Sequence, residues 1–159
     1  FNSDRVLLQE RMINAFETLK NFDQVDKNKT GAIGFCFGGK CALDLARSGE
    51  DIKGVVSFHG LYDAPTASTG KQLKGTLKID SSILILHGYD DPMATPKSMI
   101  ELADELNSKK AKWQIHAYGN VGHAFTNPEA NQRENGLFYD RYADEHSWNE
   151  MKNFFSKIF

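Results

Sequence analysis

"TGAIGFCFGGKCALDL", residues 30–45, decides how this chain is read. A polar turn, "DKNKTG" (26–31), leads into "AIGF" (32–35), which is short, apolar and bounded by glycines, as a buried strand is. From Gly38 to about Arg47, Ala42, Leu45 and Ala46 suit a helix packed tightly on a sheet, and Gly49 closes it. Between strand and helix stands Cys36. Gly34-Phe35-Cys36-Phe37-Gly38 fits G-x-Nu-x-G, the strand-to-helix elbow that exposes a nucleophile above a sheet. So tight a turn predicts that side chains two residues before and after the nucleophile collide. Glycine is therefore expected at both 34 and 38, with Gly39 bringing the helix closer still.

The same unit recurs outward. "KGVVSFHG" (53–60) reads as a strand, followed by a polar loop over 63–82 in which Lys71, Lys74 and Lys78 form a solvated face. "SILILHG" (82–88) is a purely apolar strand. "KSMIELADELNSKK" (97–110) is an amphipathic helix after Pro96, and "AKWQIHAYG" (111–119) is a further strand. Upstream, Ser3 is a plausible N-cap for a helix carrying Leu8, Met12, Phe16 and Leu19 through Phe22. Downstream, residues 137–159 place Trp148, Met151, Phe155 and Ile158 on one helical stripe, read as core. Strands that alternate with helices and lack period-two patterning pair in parallel. The fold class is α/β, an open, mainly parallel sheet of about four strands flanked by helices, in a single domain over 1–159. The first strand then lies at an open apolar edge unless further strands precede it. That predicts missing N-terminal strands, supplied by an upstream segment or by a homodimer partner.

The 159 residues suffice for one domain with one core. Nineteen basic against twenty-one acidic side chains, with no basic block, argue against nucleic acid or a membrane surface as partner. Two cysteines five positions apart, flanking a turn and its helix, make an awkward disulfide. Both are read as free thiols in a reducing, cytoplasmic setting.

An elbow of this type calls for an acid after a later strand and a histidine after the last one. "SILILHGYDDP" puts Asp90 and Asp91 past the carboxyl end of a strand, and "WQIHAYGNVGHAF" puts His123 past the next. In parallel sheets ligands bind at that end, so the three groups can converge there.

"GFCFGG", "LHGYDDP", "GHAFTNPEAN" and "SWNEMKNFF" together resemble the dienelactone hydrolase family of the α/β-hydrolase fold, over nearly the whole chain from about residue 30. The resemblance implies Cys36 as nucleophile, Asp91 as the acid and His123 as the base, with Asp90 a solvated turn residue. It implies the Phe37 backbone N–H as an oxyanion donor, and no cofactor. It also implies upstream strands carrying a glutamate partner for the thiol and the other oxyanion donor. Where the family often carries an arginine four residues after the histidine, this chain has Asn127, which argues against a carboxylate-bearing dienelactone as substrate. Asn127, Phe35 and His59 are assigned to substrate binding.

The expected activity is cysteine-dependent hydrolysis of small-molecule esters or lactones. The alternative is a non-catalytic binding module that keeps the cleft. For each residue a plain structural role stands beside the functional one. Cys36 could be a small core residue, His123 a backbone-bonded loop histidine and Asp91 a turn former. His59 and His87 read better as packed histidines bonded to main chain, Phe35 and Phe37 equally as core, and Cys41 as a buried helix residue. His116 and His146 show no ligand spacing with any acid or cysteine, so no metal is expected.

Overall fold

The computed structural model of the protein describes residues 4–63 and 78–159. Helix α1 (Arg5–Lys20) is followed by β1 (Gly31–Phe35), α2 (Phe37–Arg47), β2 (Gly54–Phe58), β3 (Ser82–Gly88), α3 (Pro96–Ser108) and β4 (Lys112–Tyr118). Two-residue strands β5 (Asn131–Gln132) and β6 (Leu137–Phe138) then precede α4 (Arg141–Ser156). The main sheet has four strands in the order β1-β2-β3-β4, every pair parallel, as the alternation of strands and helices predicts. β5 and β6 form a separate antiparallel pair around a 3₁₀ turn, which the sequence reading did not foresee.

The sheet separates two cores. On one face, Val55, Ile83 and Ile85 pack against Leu43 and Ala46 of α2, Leu102 and Leu106 of α3, and Ile13 and Phe16 of α1. On the other, Val56, Phe58, Leu84 and Leu86 pack against Ala143 and Phe154 of α4. β2 is buried throughout and β3 nearly so, which is why both read as unbroken apolar runs.

A buried ionic network ties the helices of the first face together. Asp44, fully buried, receives Arg5 through both carboxylate oxygens (2.7 and 2.8 Å from Nη2) and Arg47 Nη1 at 3.1 Å. Arg47 in turn donates to both oxygens of Glu105 on α3, at 3.0 and 2.6 Å. Burial works to raise the Glu105 pKa, but the Arg47 hydrogen bonds and charge hold it below its usual value.

Several expectations need correction. Ser3 lies outside the described residues, and the cap is Asp4, whose carboxylate accepts the Leu7 N–H at 2.9 Å. Leu19, in the last turn of α1, and Phe22, beyond its end at Lys20, are exposed, so the buried face of the helix stops at Phe16. β1 is not a buried strand. Among the described residues it pairs with β2 alone, and Ile33 and Phe35 are 46% and 38% exposed. The open apolar edge is therefore where the sequence put it. The terminal helix begins at Arg141 rather than 137, and its buried face runs through Ala143, Ser147 and Phe154. Trp148 is 43% exposed and flanks the core rather than filling it. Lys71 and Lys74 fall outside the described residues, and Lys78 pairs with Asp80. Among the described residues no helix is long and apolar enough to cross a membrane.

Candidate active site

Cys36 sits between β1 and α2 with φ 54° and ψ −119°, a conformation that an L-residue with a side chain adopts only when its surroundings force it. The forcing contacts are visible. The Cys36 N–H donates to the Phe58 carbonyl at 3.0 Å, extending the β1–β2 ladder through the corner, while its carbonyl receives the Gly39 N–H at 3.0 Å. A Cβ on Gly34 would lie 2.0 Å from the Gly38 carbonyl oxygen, and one on Gly39 2.4 Å from Ser57 Oγ. A Cβ on Gly38 would meet nothing within 4 Å. Space thus demands glycine at 34 and 39, not at 34 and 38. The chain turns so that residue 38 faces outward while residue 39 presses on β2. Phe37 is the first residue of α2, so its N–H has no intrahelical acceptor. Both cysteines are free thiols. Cys36 is partly exposed, whereas Cys41 is buried and its pKa is raised, first by burial and then by Asp44.

Asp91 follows β3. Its Oδ1 accepts the Met93 and Ala94 N–H groups at 2.8 and 3.2 Å, and its Oδ2 lies 2.7 Å from His123 Nδ1. Two backbone donors fix one carboxylate oxygen and leave the other for the imidazole. Both side chains are nearly inaccessible, and Asp90 beside them is exposed, as a solvated turn residue should be. His123 is pinned through its backbone: its N–H donates to the Gly136 carbonyl at 2.7 Å, and its carbonyl accepts the Phe138 N–H at 3.1 Å. The unforeseen β5–β6 segment therefore locks the histidine loop in place. The far nitrogen, His123 Nε2, is buried and has no hydrogen-bond partner among the described residues.

His59 packs near both the imidazole of His123 and Phe35 of the elbow. It follows β2 at φ 35°, and its ring centroid lies 5.0 Å from that of His123 and 6.0 Å from that of Phe35. Burial, then the neighbouring His123 charge, lowers its pKa to about 4 against the pull of Asp91, so it is neutral. Its partner is the Thr126 hydroxyl, 2.9 Å from Nε2, not main chain. Thr126 escaped the sequence reading, although it stands in the quoted "GHAFTNPEAN" three residues after the histidine. Phe35 stacks on Phe58 with centroids 4.6 Å apart, its outer side open. Asn127 is exposed, and its carboxamide oxygen accepts the Glu129 N–H at 3.0 Å, holding its own turn. His87 is buried and bonds to the Tyr62 hydroxyl at 3.0 Å rather than to main chain. Burial lowers its pKa too.

His116 and His146, expected to lack ligand spacing, are brought beside Glu150. The signal was His146 and Glu150 one helical turn apart. Only the fold adds His116.

Comparison with known proteins bears on the family and the fold. The chain is 35% identical over 154 residues to an uncharacterized protein of Caenorhabditis elegans, covering 96% of this chain and 94% of that one. It is 28% identical over 125 residues to a Bradyrhizobium protein described as "Probable 2-oxo-3-(5-oxofuran-2-ylidene)propanoate lactonase", covering 77% of this chain and 50% of that one. Among solved structures, a dienelactone hydrolase-like promiscuous phosphotriesterase from metagenomic libraries superposes with a TM-score of 0.85 at 38% identity. That match covers all of this chain and 64% of the other. The model of the dienelactone hydrolase family matches residues 3–159, so by sequence, by α/β-hydrolase fold and by relatives this chain belongs to the dienelactone hydrolase family.

Proposed function

We propose that this member of a hydrolase family cleaves carboxylic esters or lactones through Cys36, His123 and Asp91, by way of an acyl-enzyme. The observation that carries the reading is the Asp91–His123 pair. One imidazole nitrogen lies 2.7 Å from a buried carboxylate oxygen, and the opposite one is buried with no hydrogen-bond partner among the described residues, Cys36 included. A nitrogen kept dry and unbonded costs stability, and a role in proton transfer explains why it is kept.

In this reading His123 Nε2 takes the Cys36 proton, and the thiolate attacks the acyl carbon. Asp91 holds the Nδ1–H tautomer and stabilises the imidazolium. The Phe37 N–H donates to the developing oxyanion, a contribution worth about 3 kcal/mol of barrier when a single such donor is removed. His123 then protonates the departing alkoxide, and water repeats the sequence on the thioester. His59, neutral beside His123, adds no repelling charge when the imidazolium forms. With Phe35 and Asn127 it is assigned to the substrate side. Sulfur narrows the choice of substrate. A thiolate leaves a tetrahedral intermediate more readily than an unprotonated amide nitrogen does, so esters, lactones and thioesters turn over and amides revert. The relative named a promiscuous phosphotriesterase favours a second substrate class, phosphotriesters, attacked by the same thiolate.

The test compares wild type with Cys36→Ala on p-nitrophenyl acetate, with intact mass read for an acetyl thioester. Turnover and adduct in wild type, both lost in Cys36→Ala and after iodoacetamide, are expected. Full turnover by Cys36→Ala refutes the mechanism, and an inert wild type makes the chain a binding module with a hydrolase cleft.

A further inference from the structure

On the α4 side of the sheet, outside the elbow region, His116 of β4 meets His146 and Glu150 of α4. His116 Nδ1 lies 3.8 Å from Glu150 Oε2, and His146 Nε2 lies 3.9 Å from Glu150 Oε1. One ligand atom from each residue falls within 4.8 Å of the other two. The arrangement follows from two periodicities. His146 and Glu150 are four apart, hence on one face of α4. His116 alternates along β4 with Ile115, which packs into the opposite core, so His116 points at α4.

We propose that His116, His146 and Glu150 form a binding site for a borderline divalent transition metal, zinc foremost, that clamps β4 to α4. Two imidazole nitrogens and a carboxylate suit zinc, whereas magnesium and calcium prefer all-oxygen shells. Zinc bonds of about 2.0–2.2 Å in a tetrahedron separate ligand atoms by roughly 3.3 Å, so the two measured gaps, which run to different oxygens of Glu150, need to close by about half an ångström each. No separation in the cluster, at up to 4.8 Å, needs to close by more than about 1.5 Å. Side-chain rotation supplies that. The three side chains are 27–40% exposed, which leaves water able to take the fourth position.

A supporting contact lies one layer out. The Tyr118 hydroxyl is 3.1 Å from His146 Nδ1. With Nδ1–H donating to the phenol oxygen, His146 presents the Nε2 lone pair to the cluster, the orientation that metal-binding histidines usually receive from their outer partner. Tyr118 and His116 share β4, so strand and helix each contribute to holding the geometry.

The test uses the untagged chain, stripped with chelator, titrated with zinc by calorimetry and by thermal unfolding, and with cobalt for its visible absorption. Expected are one metal per chain and a rise in Tm. Binding should be at least tenfold weaker in His116→Ala and in Glu150→Gln, each retaining the wild-type circular dichroism, and Tyr118→Phe should weaken it about tenfold. Cys36→Ser should bind as wild type does. Absence of binding, binding unchanged in both His116→Ala and Glu150→Gln, or binding lost in Cys36→Ser overturns the proposal. The first two outcomes would leave the cluster as an ordinary imidazole–carboxylate contact, and the third would place the metal on the elbow thiol.

Discussion

His59 offers a quantitative link between the candidate site and the stability of the fold. Burial, reinforced by the His123 charge, takes its pKa from 6.5 in the open chain to about 4 in the folded one. Between those two values the unfolded chain holds a proton that the folded chain refuses, so stability falls as the solution is acidified. With these pKa values, moving from about pH 7 to about pH 5 removes about 2 kcal/mol, and the loss is complete at about 3 kcal/mol once pH drops below 4. Guanidinium unfolding of wild type and His59→Asn at both pH values measures it, asparagine being among the residues that best accept the positive φ here. The variant loses the Thr126 hydrogen bond at every pH, a constant offset. The acid-dependent part should shrink by about 2 kcal/mol relative to wild type. His87, whose pKa burial also lowers, is present in both proteins and cancels. Parallel stability–pH curves for the two proteins would refute the claim that His59 is held neutral.

The elbow and the ionic network yield further expectations. Gly34→Ala should lower Tm steeply or prevent folding, because the new Cβ would sit 2.0 Å from a backbone carbonyl that cannot yield. Gly38→Ala should fold with Tm unchanged or higher, since its Cβ meets nothing and alanine gains up to about 1 kcal/mol over glycine within a helix. A reversed order in differential scanning would overturn this account of the corner. Asp44→Ala removes the buried carboxylate that Arg5 and Arg47 share, leaving Arg5 with Asp63 and Arg47 with Glu105, and chemical denaturation should show a loss of about 3 kcal/mol. A loss below about 1 kcal/mol would mean that water reaches the network.

The parallel sheet was legible in the sequence because its central strands are buried on both faces and so show no alternation of apolar and polar residues, Ser57 and His87 being isolated exceptions. The elbow was legible because a backbone at φ 54° leaves a glycine signature around it. That signature was misread in one place. Gly38 satisfied a motif, while the steric demand falls on Gly39, and only the approach of Ser57 and Gly60 distinguishes the two. The β5–β6 pair escaped because two-residue strands have no periodicity to detect, yet β6 and the turn before it supply both backbone anchors of His123. Partners that lie far apart in the chain were equally invisible. Thr126 bonds across 67 positions to His59, and His116 reaches a helix 30 residues on.

The three proposed groups hang from unequal supports, and that has a measurable consequence. Asp91 and His123 follow β3 and β4, and β3 has a hydrogen-bonded neighbour on both sides. Cys36 follows β1, whose one ladder runs to β2 and whose Ile33 and Phe35 remain open to solvent. Strands with few buried contacts and exposed ladders open at lower free energy than the core does. Amide exchange should therefore release the peptide spanning residues 31–37 well before that spanning 82–88, with the Asp91 turn following the slower segment. β4, like β1, is an edge strand of this sheet, so the contrast lies between Cys36 and the Asp91 turn. The nucleophile is lost before that turn under mild denaturant, and the proposed esterase activity should decline ahead of global unfolding. Equal protection of the two peptides would show instead that the corner hydrogen bonds at Cys36 couple β1 to the sheet as firmly as a second neighbour would.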